Sequence, residues 1–196
     1  MFIAFHQRLA RFRKDRRAVA AIEFAFIAPI LMSLYFVTME VSQGIEANKK
    51  VGRIASMVGD LVAQQTTITT ADIEAIMQIG AAIIQPYERS KPKIIIEHIE
   101  IDDELNATVQ WSRKLADDKV TEPFNTGAAT TVPDQLEIAN TFLVRVTAEL
   151  DYKPVIAWND DQKETLGLMA AFDVLKMSER YFLRPRMSAE VQCGNC

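Results

Sequence analysis

Two hydrophobic patterns follow one another along the first third of this chain. From Ala18 to Met39 it reads AVAAIEFAFIAPILMSLYFVTM, apolar on every side of a helix, with Glu23 as the one charge. At about 1.5 Å per residue this run spans roughly 33 Å, close to the hydrocarbon thickness of a bilayer. Beyond Gly44 the pattern becomes one-sided. Val51, Ile54, Ala55, Val58, Leu61 and Val62 recur at the i, i+3, i+4, i+7 spacing of an amphipathic helix. Gly44 alone interrupts the stretch between, at a modest cost, so one long helix or two nearly collinear ones are expected from about Ala18 to Gln65. TTITT (66–70) is a β-branched connector. Thr69 or Thr70 can cap the helix after it, with Asp72 and Glu74 near its positive end. That helix, ADIEAIMQIGAAIIQ, puts Ile73, Ile76, Met77, Gly80, Ile83 and Ile84 on one face, and Pro86 ends it.

At Lys91 the period changes to two. KPKIIIEHIEID (91–102) sets Ile95, Glu97, Ile99 and Ile101 against Ile94, Ile96, His98 and Glu100, which predicts a strand. NATVQWS (106–112) also alternates and follows the turn-like DDEL, so an antiparallel hairpin is expected. Residues 113–139 are polar and hold Pro123, Gly127 and Pro133, and read as a long loop with one short strand. NTFLVRVTAELDYKP (140–154) is a strand with Phe142, Val144, Val146 and Ala148 on one face. ETLGLMAAFDVLKM (164–177) reads as a short helix or as extended chain, and SERYFLRPRM (178–187) as a final strand. The expected fold class is α+β. A long N-terminal helix, transmembrane and then amphipathic, is joined by a second helix packed on a small antiparallel sheet of about four strands.

The net charge of −4 conceals an asymmetry. Residues 1–17 carry six basic side chains against Asp15, a net of +5, and residues 18–196 carry a net of −9. A basic arm alone could bind nucleic acid, but an apolar helix follows this one, so the bilayer and not nucleic acid is the expected partner. Arg13, Lys14, Arg16 and Arg17 flank the apolar run on its N-terminal side only. The positive-inside rule then places residues 1–17 in the cytoplasm and residues after about 42 outside it. The expected organisation is a basic cytoplasmic leader (1–17), a single transmembrane helix (18–41), a helical segment (42–90) and a β-rich region (91–196). A secretory signal peptide competes with this reading. Its apolar region normally runs about 7–15 residues and ends at a small-x-small cleavage site. The run here is longer, and EVSQGIEANKK offers no such site.

The chain has two cysteines, Cys193 and Cys196, in the terminal CGNC. Outside the cytoplasm a disulfide between them is permitted. The same spacing serves a redox pair or half a zinc site, and two uncommitted thiols are the plainest alternative. Phosphate-binding, dinucleotide-binding and nucleophile-elbow motifs are all missing from the sequence. His6 and His98 fall on opposite sides of the membrane in this topology and cannot share a metal; His98 reads as a strand residue with an ordinary hydrogen-bonding role. DDEL (102–105) and NDDQ (159–162) lack the spaced oxygen ligands and glycine bend of a calcium loop. Neither catalytic residues nor a metal nor a cofactor is expected, and the chain does not read as an enzyme.

Glu23 is the residue that needs a reason. A carboxylate within the membrane costs on the order of 2.5–3.5 kcal/mol on insertion scales, less near the interface, and such residues tend to mark function. Five residues before it, directly after the basic arm, lies Ala18. The order arm, small residue, four residues, glutamate, aromatic (RR-A-VAAI-E-F) resembles the type IV prepilin processing signal. More closely, AVAAIEFAFIAP with Glu40 in TMEVSQ resembles the TadE-like minor pseudopilins of the tight-adherence (Flp-type) pilus system. Members of that family show an arginine-flanked GAAAVEFALVLP and a second glutamate near the helix end. DLVAQQTTITTADIEAI, AELDYKPVIAW and SERYFLRPRM resemble the family's periplasmic body, so the likeness covers nearly the whole chain. Before the cut the family usually has glycine; this chain has Ala18.

The resemblance implies a peptidase substrate. A prepilin peptidase would cut Ala18–Val19 on the cytoplasmic side, freeing the Val19 amine, and Glu23, Phe24 and Pro29 would make assembly contacts. The implied partners are that peptidase, other pilin or pseudopilin subunits and inner-membrane pilus assembly proteins. The implied location is the inner membrane, with a periplasmic C-terminal region and association with the pilus. An α-amine has an unperturbed pKa near 8, so it is charged at the membrane edge. Glu23 of the same or a neighbouring subunit can pair with it, which offsets part of the desolvation of both and fixes axial register. Pro29 removes a backbone donor and either bends the helix or is an ordinary proline of a membrane span. Glu40 reads as a surface residue at the helix exit. The rival is a permanently anchored bitopic scaffold of a secretion or pilus machine, which is not cleaved. A pilus-associated protein with a von Willebrand-type metal site would need a D-x-S-x-S motif, which the sequence lacks. A soluble enzyme released by signal peptidase would need a catalytic constellation.

Overall fold

A computed structural model of the chain describes residues 16–87, 89–154 and 175–196. Arg13 and Lys14, the NDDQ turn and residues 164–174 lie outside the described residues. Backbone proximity divides the chain into Met1–Gln43 and Gly44–Cys196. Helix α1 (Arg16–Ala63) contributes to both.

The helix is one unbroken element, and it starts by Arg16, earlier than expected. It continues through Pro29, whose carbonyl accepts a hydrogen bond from Ser33 Oγ at 2.8 Å. Thr38 Oγ1 bonds back to the Leu34 carbonyl in the same way, also at 2.8 Å. Such i−4 bonds satisfy hydroxyls that would otherwise stand unpaired on an apolar surface.

The body, Gly44–Cys196, is the α+β layering that the alternation and the helical spacing predict. After α1 come β1 (Thr67–Ile68), α2 (Thr70–Ala82), β2 (Lys93–Ile101), β3 (Ala107–Ala116), β4 (Lys119–Thr121) and β5 (Ala129–Thr130). A 3-10 turn (Asp134–Leu136), β6 (Thr141–Tyr152), β7 (Leu175–Leu183) and β8 (Gln192–Cys193) follow. Thr69 is the N-cap of α2 and forms a reciprocal capping box with Asp72. The bonds from Thr69 hold the Asp72 carboxyl below the usual range. α2 closes at Ala82, before the expected Pro86. Ile83 and Ile84 then donate to the Gly80 and Ala81 carbonyls in the i→i−3 pattern that tightens a helix end.

The sheet is antiparallel in the order β4-β3-β2-β6-β7, with β5 on the far part of β3. The expected count of about four rises to six because residues 113–139 are not one loop. β3 runs on to Ala116. Asp117 and Asp118 then take positive φ, 48° and 60°, and β4 turns back to pair Val120 with Leu115. Two consecutive left-handed residues make the two-residue turn whose twist matches its strands, and aspartate tolerates that region. Nor is 178–187 the last strand: β7 ends at Leu183, and β8 lies beyond it, parallel to β1.

Both faces of the sheet are covered. Ile94, Ile96, Trp111, Leu115, Val144, Val146 and Ala148 share one core with Val51, Ile54, Ala55, Val58 and Val62 of α1 and with Ile73 and Met77 of α2. Leu61, expected in that stripe, is only half-buried. On the opposite face Ile99, Ile101 and Leu143 pack with Val132 and Leu136 from the β5–β6 connection. Glu97 and Arg145, adjacent across β2 and β6, form a buried ion pair there. Arg145 Nε donates to Glu97 Oε2 at 2.6 Å, Nη1 to the Thr131 carbonyl at 2.8 Å and Nη2 to Thr130 Oγ1 at 2.7 Å. The guanidinium thus ties the covering segment to the sheet.

Candidate functional site

The segment that bears Ala18, Val19, Glu23, Phe24 and Pro29 is the first third of α1. Between Val19 and Val37 its large apolar side chains are exposed all the way round: Phe24 is 70% exposed, Phe26 71%, Ile30 67% and Tyr35 65%. An exposed apolar cylinder of that length is stable in a hydrocarbon solvent and not in water. The described residues hold one helix long and apolar enough to cross a membrane, and this is that helix.

Ala18, Val19, Glu23, Phe24 and Pro29 all lie on this one helix, as do Arg16 and Arg17. Val19 and Glu23 stand four residues apart, so they share a face and are separated by about 6 Å along the axis. Glu23 is exposed on that face. A charge at the Val19 nitrogen would therefore be one turn below the Glu23 carboxylate. Phe24 points to a neighbouring sector, and Pro29 leaves the carbonyl of Ala25 without its helical donor.

Glu40 differs from expectation. It is 8% exposed and is not a surface residue. Its spacing gives the reason: Glu40, Ala47 and Val51 fall at i, i+7 and i+11, the stripe that is buried further along α1.

His98 is more enclosed than an ordinary strand residue. It is 1% exposed and stacked between Trp111, at 5.5 Å, and Phe142, at 5.3 Å. Its Nε2 accepts the Val191 amide at 3.3 Å, while Nδ1 has no hydrogen-bond partner among the described residues. Burial pushes its pKa down to about 4, and the nearby charge of Glu190 opposes that shift.

Cys193 and Cys196 are joined as a disulfide with their Cα atoms 5.5 Å apart. The spacing of CGNC left this pair open among several roles, and nothing in the sequence placed it beside β1 and the start of α2. Among the described residues there is no group of three or more His, Cys, Asp and Glu side chains placed to hold a metal ion. The body has an open groove of about 790 Å³ between α1 and β7, floored by Gly52, Met57, Tyr181 and Leu183 and rimmed by Lys49, Arg53, Asp60 and Arg186. Arg186 Nη2 meets Asp60 Oδ1 there at 2.8 Å. The rim carries both signs of charge. Compared with known proteins, the chain matches no family model, no curated protein and no solved structure.

Proposed function

We propose that this chain is a minor pilin-like subunit, a pseudopilin of a tight-adherence type IV pilus. In this reading it sits in the inner membrane with residues 1–17 in the cytoplasm and Gly44–Cys196 in the periplasm. A prepilin peptidase cuts Ala18–Val19, and the mature subunit supports pilus assembly and adhesion. The observation that carries the reading is Glu23, the one charge on the exposed apolar stretch of α1 between Val19 and Val37 and one turn from Val19. A structural charge in that place has a cost in lipid and no partner nearby on the described part of its own helix. An assembly contact gives it one: the amine that cutting creates.

The α+β body (Gly44–Cys196) supports the same reading, since a folded body gives such a subunit a surface for neighbours besides its apolar helix. The partners in this account are the peptidase, other pilin or pseudopilin subunits, inner-membrane assembly proteins and lipid. The test at the site is Glu23→Gln, which removes the charge and keeps the shape. Membrane insertion should persist, while recovery of complexes with pilus subunits falls at least tenfold. Normal piliation and complex formation in that variant would remove the role given to Glu23.

A further inference from the structure

The C-terminal segment is fastened to the body in two stages. Before the cysteines, Val191 is fully buried; its amide donates to His98 Nε2 and its carbonyl accepts Trp111 Nε1–H at 3.0 Å. The Gln192 amide reaches the Thr66 carbonyl at 3.2 Å, and β8 pairs with β1 through Thr67–Gln192 and Ile68–Cys193. Within the ring closed by Cys193–Cys196 there are two further bonds. The Gly194 amide donates to the Ile68 carbonyl at 2.9 Å, and Asn195 Oδ1 accepts the Thr70 amide at 2.8 Å. Thr70 opens α2, so its amide is one of the donors that no helical carbonyl can satisfy. Asn195 satisfies it from 125 residues away in sequence.

The two stages have different physical support. The Val191 stage rests on burial in the main core. The ring stage lies on the surface: Gly194, Asn195 and Cys196 are exposed, and a two-residue strand paired with one other two-residue strand is weak unless it is tied down. The covalent ring is what ties it. We infer that Cys193 and Cys196 form a redox latch, a modification site for a disulfide-donating protein, whose closure holds Asn195 against the start of α2. The exposed Cys196 gives such a donor access. One cysteine thiolate attacks a sulfur of the donor disulfide, forming a mixed disulfide and releasing the first donor sulfur as a thiolate. The second cysteine thiolate then attacks its partner's sulfur in the mixed disulfide, closing Cys193–Cys196 and releasing the second donor sulfur. The donor gains two electrons and leaves as a dithiol, with the two protons that the cysteines gave up. This chemistry belongs to the body and does not depend on the pilus reading of the helix.

The test is amide hydrogen exchange on the full chain in detergent micelles, oxidised and then reduced with a phosphine. A Cys193→Ser/Cys196→Ser variant is measured beside it without reductant. In both open forms the Thr70 and Gly194 amides should exchange about tenfold faster, while Val191 and the β2 amides keep their protection. Asn195→Ala should speed exchange at Thr70 alone, with the disulfide intact. Unchanged exchange at Thr70 and Gly194 on opening the ring would overturn the inference. So would an equal loss of protection throughout the core, which would make the bond a general staple and not a latch.

Discussion

At the scale of single residues, the informative side chains are polar groups in apolar places. Glu23 was legible because a lone charge in an apolar run stands out in any sequence. His98 was not: a histidine in an alternating strand gives no sign of whether its face is wet or dry. That it lies between Trp111 and Phe142, with Val191 above it, depends on contacts across three strands and a chain end. Its titration predicts how the body responds to acid. Above about pH 6.5 the imidazole is neutral in both folded and unfolded chains. Between about 6.5 and about 4 only the unfolded chain takes up the proton, so stability falls as pH falls through that window. The slope approaches about 1.4 kcal/mol per pH unit. Urea midpoints between pH 7 and 5 should show it, and His98→Gln should flatten it; a slope unchanged by the substitution would assign the effect elsewhere. The ion pair on the other face of the sheet behaves differently. Arg145→Met should destabilise by roughly 3–5 kcal/mol because it strands the Glu97 carboxylate. Replacing both, with Glu97→Leu, should cost less than that single change. Additive losses in the double-mutant cycle would contradict this.

At the scale of elements, periodicity served well wherever one face is buried. The stripe of α1 from Val51 to Val62, half-buried Leu61 excepted, the inward face of α2, and the alternation of β2 and β6 appear where the spacing put them. It failed where pairing depends on a distant strand. β4 and β5 are short and polar and exist because β3 offers them a ladder. β8 exists because β1 does. Gly80 is an element-scale feature that the pattern marked only as inward-facing. A Cβ there would lie 2.5 Å from Val58 Cγ2 and 3.3 Å from Ile94 Cδ1, so the missing side chain sets how closely α2 approaches α1. Val58 is β-branched and stiff, and cannot swing aside cheaply. Gly80→Ala should therefore lower stability by about 1–2 kcal/mol, overpacking outweighing the roughly 1 kcal/mol gained in helix propensity. A thermal midpoint that rises in this variant would show that the helices have room.

At the scale of the whole molecule, the chain combines a membrane-length apolar helix with a folded α+β body. The sequence carried that division in its charges and periods: a +5 arm, an apolar run, then an acidic region of alternating patterns. The proposed function rests on fewer points of the sequence, chiefly Ala18, Val19 and Glu23. Its chemistry would be a single peptide bond cut by another protein and a single charge awaiting a partner. That makes the mature N-terminus the most direct test. The protein should be purified from membranes that contain a prepilin peptidase, and its intact mass and N-terminal peptide measured. The account predicts a chain beginning at Val19; a chain that still begins at Met1 would contradict it and favour the permanently anchored scaffold.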